Sequence, residues 1–554
     1  HKLGLTAIGR DINPVAVKAV RTALGPMDRK EIKLAFEELS ESVGRKIRAI
    51  YGSQDSKGLP CDVLYFFWVM QVDCPDCRRK VSLFSSSVIA RNAYPKRKPE
   101  VQILCPSCGD IFPGLYDQKM ATCRSCDHQF DPKAGPARRA RACCTHCGRT
   151  FIILDAARKG PRPDFKLYGK LVLTARGAKE YLPATPEDDV AYQQCSARLK
   201  EEVTRGHILL PTLVLEHGYN TRQAMSYGFR SWRDFFNDRQ LLALGWLRGA
   251  ITRVADEPTR NGLLTLFSGV LEFNNLFASY KGEGTGAVRH MFSHHILKPE
   301  RTPIEANVWG TPKSSGSFSN LFRSRLLRAI EYRNAPTEIK GRKHGPAWVC
   351  SQPFTGRVEK RWPNNGAARP RGIYLSCGDS ADSGLPDRSV DLIVTDPPFF
   401  DNVHYSELAD FFFAWQQLTT KPNAKNAATT RRASEVQDSD ADRFARKLLG
   451  VFCECRRVLK DEGLLVFTYH HSREEGWNAL AEALLGAGFA VVNSHPVKAE
   501  MSVATPKSQA KEPIQLDMII VCRKEDSPGM QTTLTVPRAI ESAKSKLKRL
   551  REEG

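Results

Sequence analysis

The sequence predicts an α/β fold whose parallel sheet is interrupted by a cysteine-rich insertion and a helical region. Short apolar runs alternate with helical periodicity between Gly378 and Cys522, the pattern of a parallel sheet covered by helices. A further strand, ending at Asp11, opens the chain and runs into a helix start at Pro14. Between these parts stand four Cys-x-x-Cys pairs, then several amphipathic runs. With 554 residues, several domains are expected. The boundaries fall at 1–55 for the first part of the sheet, 56–176 for the cysteine insertion and 177–335 for the helical region. A linker at 336–371, the main sheet at 372–525 and a basic helical tail at 526–554 complete the chain.

The amino-terminal string Leu5-Thr-Ala-Ile-Gly-Arg-Asp-Ile-Asn-Pro14 places Asp11 at a strand end. An acid at the end of the second strand of a Rossmann-like unit binds ribose hydroxyls; a helix cap is the alternative. The glycine-rich loop expected before such a strand is not in the sequence, which begins at His1. The sequence is therefore expected to be a fragment.

Sixteen cysteines without a signal peptide point to a reducing compartment, the cytoplasm, and to metal rather than disulfides. Eight of them form the pairs Cys74/Cys77, Cys105/Cys108, Cys123/Cys126 and Cys144/Cys147. Each pair is half of a tetrahedral zinc site, so two structural zinc ions of four cysteines each are expected. Sequential pairing fits the spacing. So does nesting of 105/108 with 123/126 inside 74/77 with 144/147.

Charge is uneven. The chain carries 82 basic and 61 acidic residues, net +21. The stretch from Cys74 to Arg176 holds 20 basic and 8 acidic residues, net +12. Arg78-Arg79-Lys80, Lys96-Arg97-Lys98, Arg138, Arg139, Arg141, Arg149, Arg158, Lys159 and Arg162 dominate it. Such a patch neutralises phosphates, and DNA is the expected partner. No apolar run reaches transmembrane length.

From Ala191 to about Arg333 the pattern is helical, with runs at Arg239–Leu247, Leu263–Leu271 and Ser317–Tyr332. This region either carries target recognition or braces the sheet. Farther on, Leu392-Ile-Val-Thr395 reads as a buried parallel strand that stops at Asp396-Pro397-Pro398-Phe399, the end of a strand where ligands bind in open α/β sheets. Ala441–Leu459 reads as a helix stopped by Gly463, Leu464–Thr468 as a strand and Trp477–Leu485 as a helix. Phe489–Asn493 and Met518–Cys522 read as the last strands.

The Asp-Pro-Pro-Phe tetrapeptide resembles the catalytic motif of enzymes that methylate exocyclic amines of nucleobases, above all adenine N6. The lone pair of that amine is delocalised into the ring. A carboxylate (Asp396) and a carbonyl (Pro397) that accept its two hydrogens would draw the lone pair towards a methyl donor. Proline has no N–H to lose and stiffens the backbone. Phe399 would stack on the flipped base. The Asp11-Ile-Asn13-Pro14 string resembles the second motif of amino-methyltransferases, and Gly378-Asp379 stands where that family contacts the adenine of S-adenosylmethionine. The resemblance implies Asp11, Asn13 and Asp379 as cofactor contacts.

Taken whole, the order of motifs resembles the bacterial and archaeal adenine-specific DNA methylases with a zinc-ribbon insert. Asp396-Pro-Pro-Phe-Phe-Asp-Asn-Val-His-Tyr-Ser-Glu-Leu408 is similar to that family's extended motif, which usually has Tyr where Phe399 and Phe400 stand. Tyr227–Leu241 is similar to its middle region. The resemblance implies a Rossmann-like S-adenosylmethionine-dependent methyltransferase sheet interrupted by a zinc-ribbon and helical insertion. It also implies DNA as substrate, with host-DNA modification or phage defence, and further subunits of such a system, by analogy. His404 and Tyr405 would line the base pocket, and the polar stretch Lys421–Asp440 would form a loop over it. RNA or cytosine N4 as acceptor, and an inactive zinc-dependent nucleic-acid scaffold, are the alternatives.

Overall fold

The computed structural model divides into two units, His1–Trp362 with Arg369–Cys377 and His404–Ala433, and Pro363–Ala368 with Gly378–Val403 and Ser434–Gly554. It describes residues 4–158, 162–284, 287–293, 297–338, 348–349, 356–363, 368–401, 403–419, 429–498, 516–528 and parts of 537–549. Lys159, much of the expected linker, residues 421–428 of the expected loop and part of the tail lie outside the described residues.

In the first unit, strand β1 (Ala7–Asp11) leads into helix α1 (Pro14–Leu24). The helix starts there because the Asn13 side chain accepts from the Val15 N–H and Pro14 occupies the first turn. Strand β2 (Pro60–Asp73) carries the apolar run Val63 to Met70, every residue of which is buried. Its β-branched and aromatic residues suit a strand covered on both faces. Strand β3 (Asp164–Leu173) pairs antiparallel with β2, strand β4 (Lys179–Pro183) pairs with β3, and the short β5 (Ile304–Ala306) closes the other side of β2. This antiparallel sheet was missing from the sequence reading, which assigned both β2 and β3 to the cysteine insertion. The insertion is a long excursion between those two strands.

Helices α2 (Pro186–Thr204), α3 (Asp238–Thr252) and α4 (Glu257–Leu271) belong to the same unit, and most of α3 is buried. The regions 1–55, 56–176 and 177–335 thus share one unit. Strand β6 (Ile373–Cys377) pairs in parallel with β1, Asp11 opposite Cys377. Helix α5 (Tyr405–Gln416) completes the unit.

The second unit holds β7 (Val390–Thr395), α6 (Ala441–Val458), β8 (Leu459–Tyr469), α7 (Glu474–Gly486), β9 (Phe489–Lys498) and β10 (Leu516–Lys524). Helix α6 is capped by Asp440 and buries Phe444, Leu448, Phe452 and Cys455, one face at helical spacing. The sheet order is β7-β8-β10-β9. The β7–β8 pair is parallel as expected, but β10 is antiparallel to both neighbours, so the sheet is mixed.

Two further expectations are corrected. Helix α6 stops at Val458, before Gly463, which lies inside β8. A Cβ there would stand 2.7 Å from the Leu459 side chain and 3.0 Å from the Asp391 carbonyl oxygen, so close approach explains the glycine. Strand β7 is an edge strand of its sheet and is not buried: Leu392 and Val394 are 45% and 70% exposed. Among the described residues no helix is long and apolar enough to cross a membrane.

A buried charge pair, Glu305 with Arg239, joins sheet and helix in the first unit. Glu305 of β5 accepts from Trp68 Nε1 at 2.8 Å, Asn237 Nδ2 at 2.8 Å and Arg239 Nε at 2.7 Å. Burial opposes the Arg239 charge, but Glu305 outweighs it and holds the guanidinium above its ordinary value. Replacing Glu305 with Ala strands that cation, and a loss of about 3–5 kcal/mol is expected. Denaturant unfolding of Glu305→Ala against the native chain measures it.

Candidate active site and metal centres

Strand β7 ends at Thr395, in register with Phe467 of β8. The chain then turns through Asp396, which is exposed, and Pro397, which is buried. The Thr468 hydroxyl donates to Asp396 Oδ1. Phe400 is buried with φ +52°, a left-handed conformation costly for an aromatic residue, and its ring packs 5.5 Å from those of Phe444 and His471. The strained residue turns one aromatic ring into the core and leaves its neighbour, Phe399, partly exposed. Phe399 lies 4.3 Å from the His470 ring and edge-on to Tyr469.

The far end of the turn is tied as well. Asp401 accepts from Arg473 Nη2 at 2.5 Å and lies 3.4 Å from His471 Nε2. His470 Nδ1 stands 2.6 Å from Asp517 Oδ1 on β10. Thr468, His470, Asp401 and Asp517 were missed by sequence reasoning. Two adjacent histidines directly after a strand were the available signal. The turn offers an exposed carboxylate with a fixed hydroxyl donor and an aromatic face beside it, a set suited to a flat ring bearing an amine.

Asp379 is in the same unit, and its Oδ1 accepts from the Ala381 N–H at 2.8 Å. The loop that follows is held by Glu454 of α6, which accepts from the Ser383 N–H at 2.8 Å, the Ser383 hydroxyl at 2.5 Å and Arg457 Nε at 2.8 Å. Arg457, followed by the Ser383 donors, holds the Glu454 carboxyl down to about 2 against its burial.

The remaining expected site residues belong to the first unit. Asp11 is exposed at the end of β1 and accepts from the Asn13 N–H at 2.7 Å. The Asn13 side-chain oxygen caps α1, so its visible role is structural. His404 precedes α5 and stacks on Tyr219 at 5.2 Å, while Tyr405 is 54% exposed. Glu407 was missed: buried, it accepts from the N–H groups of Tyr219 at 3.0 Å and Asn220 at 2.6 Å. The downstream half of the extended motif is thereby anchored in the middle region. Residues 429–431 of the expected loop are anchored too, Thr430 N–H donating to Asp410 at 2.6 Å and Arg431 to the His217 carbonyl at 2.9 Å.

The cysteines resolve into a nested pair of clusters, Cys74, Cys77, Cys144 and Cys147, and Cys105, Cys108, Cys123 and Cys126. The Sγ atoms of Cys74 and Cys147 are 3.6 Å apart, those of Cys77 and Cys144 3.6 Å, those of Cys105 and Cys126 3.7 Å and those of Cys108 and Cys123 3.6 Å. A zinc tetrahedron with Zn–S of about 2.3 Å has sulfur–sulfur edges of about 3.8 Å, whereas a disulfide needs about 2 Å. The donor set fits zinc. Gly109 and Gly148 follow a pair in each cluster at φ +80° and +72°, and the Ser125 and His146 N–H groups point at Cys123 and Cys144 sulfur at 3.4 and 3.5 Å.

Residues 390–554 match a family model described as DNA methylase, of the N6/N4 type. No curated protein matches the chain. Among solved structures, a Thermus thermophilus protein provisionally described as a DNA modification methylase aligns at 21% identity. The alignment covers 29% of this chain and 55% of that one, with a TM-score of 0.16. This chain thus spans about half the length of that protein, and at this TM-score the likeness carries no argument.

Glu454 gives a pH test. Its folded value, about 2, lies below the ordinary 4.5, so its contribution is complete above the ordinary value and is lost as pH falls towards about 2. Glu454→Gln is expected to be less stable than the native chain at neutral pH, and the gap in urea midpoint is expected to close as the pH drops through that window.

Proposed function

We propose that this chain is a DNA methyltransferase that transfers the methyl group of S-adenosylmethionine to adenine N6. The observation that carries the reading is the Asp396-Pro397-Pro398-Phe399 turn at the carboxyl end of β7, inside the segment that matches the DNA methylase model. Asp379 in the second unit and Asp11 in the first are the cofactor contacts that the family resemblance implies. An exposed carboxylate at a strand end suits a vicinal diol, which supports Asp11. Asn13 contributes by capping α1 behind it.

When bound, the cofactor supplies an electrophilic methyl group. The chain's part is to prepare the amine. Asp396, held in orientation by the Thr468 hydroxyl, accepts a hydrogen bond from one amine N–H and would take the proton that the nitrogen sheds on methylation. The Pro397 carbonyl accepts the other, and the nitrogen lone pair is drawn out of the ring. Phe399, backed by His470, offers the stacking face for a base that has left the duplex. No covalent enzyme intermediate is required, so no cysteine is assigned as nucleophile. The two cysteine clusters would each hold a structural zinc ion with no open position, and so take no part in the chemistry. Host-DNA marking in a modification or defence system, with further subunits, is the setting the family resemblance implies.

Two experiments test this. Asp396→Ala is expected to lower transfer of labelled methyl to unmodified duplex DNA by at least a hundredfold while leaving zinc content unchanged, since it removes an acceptor used at the reacting atom. Retained transfer refutes the assignment, and nucleoside digestion separates N6-methyladenine from N4-methylcytosine. Metal analysis is expected to give two zinc ions per chain, with one lost from Cys77→Ser and one from Cys108→Ser, as the nested clusters require.

A further inference from the structure

In the first unit a cleft of about 690 Å³ lies between the outer part of the cysteine insertion and a hairpin of the middle region. Four of its lining residues are basic, Arg91, Lys133, Lys281 and Arg289, and none is acidic. Its walls are Val88, Ile89, Ala90 and the rings of Tyr116 and Tyr280. Among the described residues no carboxylate lies within ion-pair distance of the four cations. Glu300, outside the cleft lining, acts on Arg289 at longer range, and burial pushes its carboxyl upward.

The walls are locked together. The Ala93 N–H donates to the Glu283 carbonyl at 2.9 Å, and the Lys281 N–H to the Ala287 carbonyl at 2.8 Å. Gly282, at φ +82°, lies so close to the Arg91 carbonyl that a Cβ would stand 1.7 Å from that oxygen, so only glycine lets the hairpin seat there. On the other side, Ser87 donates to the Pro132 carbonyl at 2.9 Å, and Lys133 N–H to Asp131 at 2.8 Å. The strand that runs into Cys105 pairs with the strand that ends at Arg91, so the outer cysteine cluster supports the cleft floor.

We propose that this cleft grips the phosphodiester backbone of substrate DNA, away from the target base. A preformed concavity lined by four cations and no carboxylate suits a polyanion. Exposed Lys96, Arg97 and Lys98, in the turn that continues from the Arg91 strand, carry the positive surface beyond the cleft, which suits a polymer rather than a single phosphate. The inference rests on the reading of this chain as a DNA-acting enzyme. It adds the hairpin residues Lys281 and Arg289 to the binding surface, although neither lies in the basic cysteine-rich stretch.

The test is the salt dependence of full-length protein binding to a short unmodified duplex. Lys133→Ala/Lys281→Ala removes two exposed cleft cations. The expected result is roughly tenfold weaker binding at moderate salt, and a salt slope (log K against log salt) shallower by about 2. The comparison is Lys57→Ala/Lys200→Ala, two exposed lysines outside the cleft. An unchanged slope in the cleft variant, or an equal change in the comparison variant, overturns the cleft proposal alone. Failure of the native protein to bind DNA at any salt overturns both the cleft and the reading it rests on.

Discussion

The carboxylate of Glu305 is the constraint around which the first unit is organised. Removing an ion from water costs several kcal/mol unless its lone pairs are all used. Here they are used by two elements: Trp68 on the central strand, and Asn237 and Arg239, the cap and the second residue of α3. Glu305 also sits opposite Phe66 in the β2–β5 register, and the Arg239 guanidinium lies 3.8 Å from the centre of that ring. A slip of one residue in β5 would turn the carboxylate to the other face of the sheet and leave the cation alone. One ion pair thus specifies both strand register and helix start. The strand it fixes, β2, is the one from which the cysteine insertion departs.

That insertion illustrates why cysteine clusters and charge occur together. It is dense in lysine and arginine and short of large apolar residues, so the cores it can build are small. One gathers Met70, Val72, Leu83 and Phe151 around the inner cluster, and the other Val101, Ile103 and Phe112 around the outer. Cores of that size do not order a chain by burial alone. The two four-cysteine clusters, with zinc bound, would supply the missing cross-links and leave the surface free to be positive.

Much of this organisation was legible in the sequence, for identifiable reasons. The helix Ala441–Val458 was readable because Phe444, Leu448, Phe452 and Cys455 repeat at helical spacing. The cysteine pairs were readable because zinc fixes both residue type and spacing. Their nesting was not, since spacing alone admits both pairings and only the β2–β3 connection selects one. The antiparallel sheet was overlooked although Val63 to Met70 advertises a strand, because its partner β3 lies about a hundred residues along the chain. The turn at Asp396 was legible as a string. Its supports were not: Thr468, His470 and Asp517 reach their partners through pairing and packing that no local pattern records.

The two cysteine clusters differ in how they meet solvent. In the inner one, Cys74 and Cys144 are buried, Cys77 is half-buried and Cys147 alone is fully exposed; in the outer one, both Cys108 and Cys126 are exposed. Thiolates are oxidised, and their metal exchanged, through the sulfur that a reagent can reach. The outer cluster therefore presents two points of attack where the inner presents one, and with zinc bound to both it would be the first to fail under peroxide or a competing chelator. The chain would lose the outer ribbon's fold while the inner centre, next to the main sheet, still held.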